Sequence, residues 1–328
     1  MQEDKALPIF LNKGFSVIFF PVSERFLGRK FSFQFDNFPV TIEIPPKSKN
    51  KTFNFLEKRG EVKGEVFYEV TRIEIYIDTQ TPTKIPAKAL EDNSIRIDHY
   101  SETLEKKFKS ILEKHQDIPA RAFSNFSRVL RWKAKRNILR PSYQTGPSSG
   151  GGFELLAGEN LIRVYGGPIY LSARMDTPIT EKTFKKTQEA LSKGLTSPVW
   201  FDFLYDAYHR QEMGDKEGAL LFFVISLETI MRGLFWLDAP NVTNEGFRNL
   251  VDGINIRGII SKRKKFCIWD EDIEKVFDHS LFNKILDWRN SLMHNAIIPE
   301  LGPKSLQQIR VKLTNFVLEA DKKINLSK

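Results

Sequence analysis

The stretch EVFYEVTRIEIYI, residues 65–77, decides how the first half of the chain reads. Val66, Tyr68 and Val70, then Ile73, Ile75 and Ile77, recur at every second position with polar residues between them. Successive side chains of a strand point to opposite faces, so this period predicts a strand with one apolar face. The same alternation runs through FSFQF, which sets Phe31, Phe33 and Phe35 on one side, and through PVTIEI, residues 39–44. A β-rich region is therefore expected from about Phe15 to Asp78, with Pro45-Pro46 and the following KSKNK as a loop.

The period changes near residue 101. In SETLEKKFKSILEKH, Leu104, Phe108, Ile111 and Leu112 follow helical spacing, with Ser101 and Glu105 as start signals. A second helix is expected from about Pro119 to Leu139. PSYQTGPSSGGG, residues 141–152, has the composition of a flexible loop, and FELLAGENLIRVYGGPIYL then reads as short strands. After Thr180 no strand pattern remains. Helices are expected near 180–193, 197–212, 215–236, 244–260, 271–297 (broken near Ser280) and 303–325. In the last, Leu306, Ile309, Leu313, Phe316, Val317, Ala320 and Ile324 form one stripe. The fold class expected is α+β: a β-rich domain over residues 1–178 with a helical segment at 101–140, then an all-helical domain over 179–328.

Composition narrows the function classes. One cysteine, Cys267, excludes an internal disulfide framework and a cysteine-based metal site. His99, His115, His209 and His279 show no metal-ligand spacing, so neither metal nor other cofactor is expected. Glycine runs at 150–152 and 166–167 lack the Lys-Ser/Thr of a phosphate loop. The N-terminus carries no leader pattern, and the longest apolar run, GALLFFVISLETIM, is interrupted by Glu228 and reads as a buried helix. A cytoplasmic protein without a membrane partner is the expectation.

The net charge of +9 is unevenly placed: residues 101–140 hold 11 Lys and Arg against 4 Asp and Glu. Within them, RVLRWKAKRNILR interleaves basic residues with Trp132, and Arg131, Lys133, Lys135 and Arg136 are candidates for contacting RNA phosphates. SKRKKF, residues 261–266, is a second and weaker basic candidate.

The second decisive stretch is DWRNSLMHNA, residues 287–296. With 100° per residue and Arg289 at 0°, Phe282, Ile285, Leu292, Met293 and Ala296 fall within roughly −60° to +40°. Arg289 thus sits in the apolar stripe, while Asp287, Asn290 and His294 cluster at about 100° to 160°. A buried guanidinium stays charged, so Arg289 requires either an escape to solvent or an acid partner such as Glu228.

An Arg followed by a polar residue and, four positions later, a His, late in a helical bundle, resembles the R-x4–6-H motif of HEPN domains. Here it reads Arg289-Asn290-Ser291-Leu292-Met293-His294, and EGALLFFVISLETIMRGLF is similar to the family's earlier core helix with Glu228 at its acidic position. The C-terminal 150 or so residues resemble the HEPN domains of ApeA-type abortive-infection proteins. The resemblance implies a metal-independent endoribonuclease, a toxin-like effector of anti-phage defence. In it His294 transfers protons, Arg289 stabilises charge on the phosphate, Asn290 orients groups and Glu228 supports the site. It also implies a homodimer through the C-terminal domain, a substrate of RNA, and an N-terminal domain that senses a phage-derived trigger or takes a neutralising partner. The residue types suit that chemistry, since histidine titrates near neutrality and arginine offers paired donors to phosphate oxygens. An Arg and a His about 140° apart on one helix converge poorly on one phosphate, which is a separate reason to expect two copies. Two other readings are a catalytically silent HEPN module for assembly or ligand binding, and a nucleic-acid-binding protein working through residues 101–140.

Overall fold

The computed structural model describes residues 5–47, 56–62, 65–86, 101–135, 141–143, 151–158, 160–167, 170–172, 179–238, 255–265, 269–295 and 301–326. It is a mixed α+β protein built on an antiparallel sheet and a set of helices. By backbone contacts the chain divides into two units, Met1–Thr196 and Ser197–Lys328.

In the first unit two long strands form the spine. β1 (Lys5–Leu7) is followed by β2 (Ile9–Ser23), β3 (Lys30–Phe35), β4 (Phe38–Glu43), β5 (Leu56–Val62), β6 (Glu65–Asp78) and β7 (Thr83–Ile85). After the helices come β8 (Pro141–Tyr143), β9 (Gly151–Ala157), β10 (Asn160–Gly167) and β11 (Tyr170–Ser172). The main sheet runs β10-β9-β2-β6-β4-β3, with β5 added on β6 and β11 on β2, and β1 pairs with β7 separately. β3 and β4 are joined through Asp36 and Asn37, both left-handed, at φ 50° and 68°. Two consecutive positive φ values match the twist of the flanking strands, and Asp and Asn tolerate them.

The alternation at 65–77 is one strand, β6, and Ile73, Ile75 and Ile77 are fully buried. Val70 is buried as well, so the apolar face changes phase between Val70 and Ile73. Its partner β2 shifts register between Ser16 and Phe20, opposite that change. Phe31 and Phe33 are buried as expected, and Phe35 is half-buried at the strand end.

Helices α1 (Glu102–His115) and α2 (Ile118–Ala134) occupy the expected places. Ser101 caps α1 by accepting the Leu104 N–H at 3.2 Å, whereas Glu105 turns away to the Arg163 guanidinium at 3.1 Å. His115 at the end of α1 is 1% exposed, edge-on to Phe38 at 5.0 Å, and neither ring nitrogen has a hydrogen-bond partner. Burial, then the neighbouring Lys114, pushes its pKa below the usual histidine value. α2 buries Phe123 against Phe15 (4.6 Å, stacked) and Phe126 against Phe31 (4.8 Å, edge-on).

The division falls at Thr196/Ser197 rather than near residue 178 because of helix α3 (Glu181–Ser192). Its Phe184 lies 4.2 Å from Phe31 and 5.4 Å from Phe26, and Gln188 exchanges hydrogen bonds with the backbone of Ser32. The helix's apolar stripe therefore covers the sheet, and α3 belongs to the first unit.

The described residues of the second unit form helices only: α4 (Val199–Glu212), α5 (Lys216–Asp238), α6 (Ile256–Lys262) with a short 3-10 turn after it, α7 (Glu271–Val276), α8 (His279–Asn295) and α9 (Pro303–Leu326). The expected break near Ser280 occurs at Phe277-Asp278, where Asp278 accepts the Leu281 N–H at 3.0 Å and opens α8. The first part of the helix expected at 244–260 lies outside the described residues. α5 is long and apolar enough to cross a membrane by length and composition. Here Phe223, Leu227, Ile230, Met231 and Leu234 are fully buried, and α4 and α9 pack against it. Around Phe316, midway along α9, Trp269, Phe277, Phe282 and Phe316 interlock at ring distances of 4.9–6.0 Å. Glu274 closes that corner, accepting from Trp269 Nε1 at 2.7 Å and from Arg263 at 3.1 and 3.3 Å. Burial opposes its ionisation, but the bonds from Trp269, Arg263 and Lys264 win and hold the carboxyl at about 2.

Candidate active site

The second unit carries a cavity of about 240 Å³ lined by Glu228, Arg232, Asn255, Ile256, Arg257, Leu286, Arg289 and Asn290. Three elements build it. On α5, Glu228 and Arg232 are four residues apart and so share a face. On α8, Leu286 stands three and four positions before Arg289 and Asn290, with the same result. Asn255 and Arg257 flank the start of α6, where the Asn255 side chain accepts the Arg257 N–H at 2.9 Å and fixes that turn. Glu228 and Arg289–Asn290, about 60 residues apart in sequence, thus meet around one space.

Arg289 is not where the helix wheel put it. The buried face of α8 consists of Leu281, Phe282, Ile285, Leu286 and Trp288, and none of residues 289–294 is buried. The helix runs past the core, so Arg289 and Met293 are exposed although they continue the stripe; Met293 is 64% exposed. Arg289 Nη1 donates to Asn290 Oδ1 at 3.2 Å. Among the described residues Arg289 and Glu228 form no ion pair, which removes the buried-partner explanation of this arginine. The wheel failed because period alone cannot say where along a helix the core ends.

His294 is exposed and does not line the cavity. It stands one turn beyond Asn290 on the same side of α8, about 6 Å further along the axis. Asn290 is therefore the residue between Arg289 and His294, and a single chain gathers Glu228, Arg289 and Asn290 but leaves His294 at the helix end.

The cavity also contains residues that the sequence reading missed. Arg232 had a signal: with Glu228 it supplies the charged pair, one helical turn apart, inside an otherwise apolar run. Arg257 and Asn255 had none, since only tertiary packing brings α6 beside α5. Arg257 is held by an ion pair with Asp287 at 2.5 Å. Among the described residues three guanidinium groups and the Glu228 carboxylate line the cavity, and Asp287 offsets the charge of Arg257.

The basic segment of the first unit is less of a surface than its sequence suggests. Arg131 is only 4% exposed and Trp132 7%, both on the buried side of α2. Lys133 is half-buried with its Nζ 3.1 Å from the Trp132 ring centroid, and Lys135 is exposed as the left-handed cap that ends the helix. Arg136 lies outside the described residues. Arg131 is thus corrected from a phosphate-contacting candidate to a core residue of α2. The amphipathic period that makes α2 a helix also turns this arginine inward. Of the second basic candidate, Arg263 is likewise buried, on Glu274. Among the described residues no group of three or more His, Cys, Asp and Glu side chains could hold a metal ion.

Comparison of the chain with protein-family profiles, with curated proteins and with solved structures finds no match.

Proposed function

We propose that the protein is a HEPN-type endoribonuclease whose active site lies on the second unit. The observation that carries this reading is the convergence of Glu228 with Arg289 and Asn290 around one arginine-lined cavity, one helical turn from His294. In the reaction His294 accepts the proton of an RNA 2′-hydroxyl as its oxygen attacks the neighbouring phosphorus. The bond from phosphorus to the 5′-oxygen breaks, and that oxygen takes up a proton, leaving a 2′,3′-cyclic phosphate and a 5′-hydroxyl. Arg289 donates to the phosphate oxygens as negative charge builds on them. Asn290 orients the Arg289 guanidinium, as their hydrogen bond indicates, and Glu228 balances the cluster of arginines.

The position of His294 outside the single-chain cavity favours a homodimer in which each site takes histidine from one copy and arginine from the other. In this reading the β-rich first unit is the sensing part, answering to a phage-derived trigger or a neutralising partner, and the chain acts in the cytoplasm as an abortive-infection effector. Cleavage of single-stranded RNA in excess EDTA, by wild type and His294→Ala, tests the proposal. Cutting that EDTA leaves intact and the substitution abolishes is the expected result. Cutting that survives His294→Ala removes the mechanism, and a protein that binds RNA without cutting it turns the reading to a silent HEPN module.

A further inference from the structure

Three guanidinium groups from three elements line the cavity, and the reaction proposed above uses only one of them, Arg289. Arg289 comes from α8, whereas Arg232 comes from α5 and Arg257 from the start of α6. Resting on the ribonuclease reading above, we propose that Arg232 and Arg257 are positioning residues that clamp a second, non-reacting phosphate of the RNA strand. They thereby set the register in which the strand meets Arg289 and His294.

Three features of the cavity support this assignment. Guanidinium groups present planar, paired donors that match phosphate oxygens. Among the described residues the apolar lining is Ile256 and Leu286 and includes no aromatic ring for a base to stack on, a lining suited to backbone and not to sequence. The volume, about 240 Å³, falls below the roughly 300–1,000 Å³ of pockets that enclose drug-sized ligands, and suits a phosphate with part of its sugar. Arg257 is held in reserve as well: its partner Asp287 is 64% exposed, so an arriving phosphate competes with a well-solvated carboxylate and not with a buried one.

The test is binding, so that it stands apart from catalysis. A fluorescent single-stranded 2′-deoxy oligonucleotide, which cannot be cut by 2′-hydroxyl attack, is titrated with the full chain by anisotropy across a salt series. Arg232→Ala and Arg257→Ala should each weaken binding on the order of tenfold. Each should also lower the slope of log affinity against log salt by about 0.7, the loss of one phosphate contact to a single strand. Asp287→Asn should act the other way and tighten binding, because it releases Arg257; a purely structural role for the Arg257–Asp287 pair predicts no such gain. Melting temperatures show that each variant is folded.

Wild-type affinity and slope in both arginine variants would overturn the proposal. So would calorimetry in which inorganic phosphate binds and is lost in the variants while the oligonucleotide is unaffected, since the cavity would then serve a small free phosphate. A wild type that fails to cut RNA would remove the catalytic reading alone and leave this binding result to stand or fall separately.

Discussion

Replacing Arg289 by alanine separates a catalytic from an architectural role. The side chain is exposed, its hydrogen bond goes to the adjacent Asn290, and among the described residues it has no ion pair. A surface substitution of this kind changes stability by no more than about 0.5 kcal/mol. For a helical unit of this size that is a shift in melting midpoint of about 2 °C. If the guanidinium stabilises charge on the phosphate during cleavage, its loss should lower kcat by about 10²–10³-fold, or about 2.7–4 kcal/mol of transition-state stabilisation. The two numbers are far enough apart to be read from one preparation, by calorimetric melting and by cleavage of an end-labelled RNA in EDTA. Unfolding weakened by about 3–5 kcal/mol, the cost of breaking a buried ion pair, would show that Arg289 is a core partner after all. Full activity in a stable variant would remove it from the mechanism.

Three other outcomes are expected. If the site is composite, light scattering should give a dimer, and mixing Arg289→Ala with His294→Ala should restore about a quarter of wild-type cleavage, since random exchange makes half the dimers mixed and each carries one intact site; a monomer with full activity would exclude this. Glu274 has its folded pKa held at about 2, below its usual 4.5, so its contribution to stability is present above 4.5 and is lost as pH falls toward 2. Glu274→Gln should remove that part of the acid sensitivity, and equal acid slopes in denaturant titrations would contradict the Arg263–Glu274–Trp269 corner. His115 has a lowered folded pKa, so below the ordinary histidine value protons favour the unfolded chain and stability falls with pH. His115→Phe should flatten that fall below about pH 6.5, the ordinary histidine value, as the ring already packs on Phe38.

The elements with long, strict periods were legible from sequence. The alternation of β6, the stripe of α9 and the break between α7 and α8 follow from residue spacing and a single capping aspartate. The membership of α3 was not legible, because an amphipathic helix announces that it will be covered but not by which partner; Phe184 found Phe31 in the sheet and Phe26 in the 3-10 turn before it. The same limit governs the site. Arg289, Asn290 and Glu228 could be picked out along the chain, yet the exposure of Arg289 depends on α8 outrunning the core. Arg257 enters only through the packing of α6. In α2 the error had the opposite sign: Arg131 reads as surface charge, and helical phase buries it.

The topology of the sheet places a demand on synthesis. β2 pairs on one side with β6, but on the other its residues 9–13 pair with residues 153–157 of β9. At ribosomal rates of about 5–20 residues per second, roughly 7–30 s separate the emergence of these two strands. Through that interval one long edge of the nascent sheet stands open, the kind of edge on which other chains add. Lys13, at the end of the waiting segment, is a charge that deters such addition; in the finished fold it is buried, with its ammonium 4.1 Å from the Phe153 ring. The residue that guards the unfinished edge is thus enclosed by the strand that completes it.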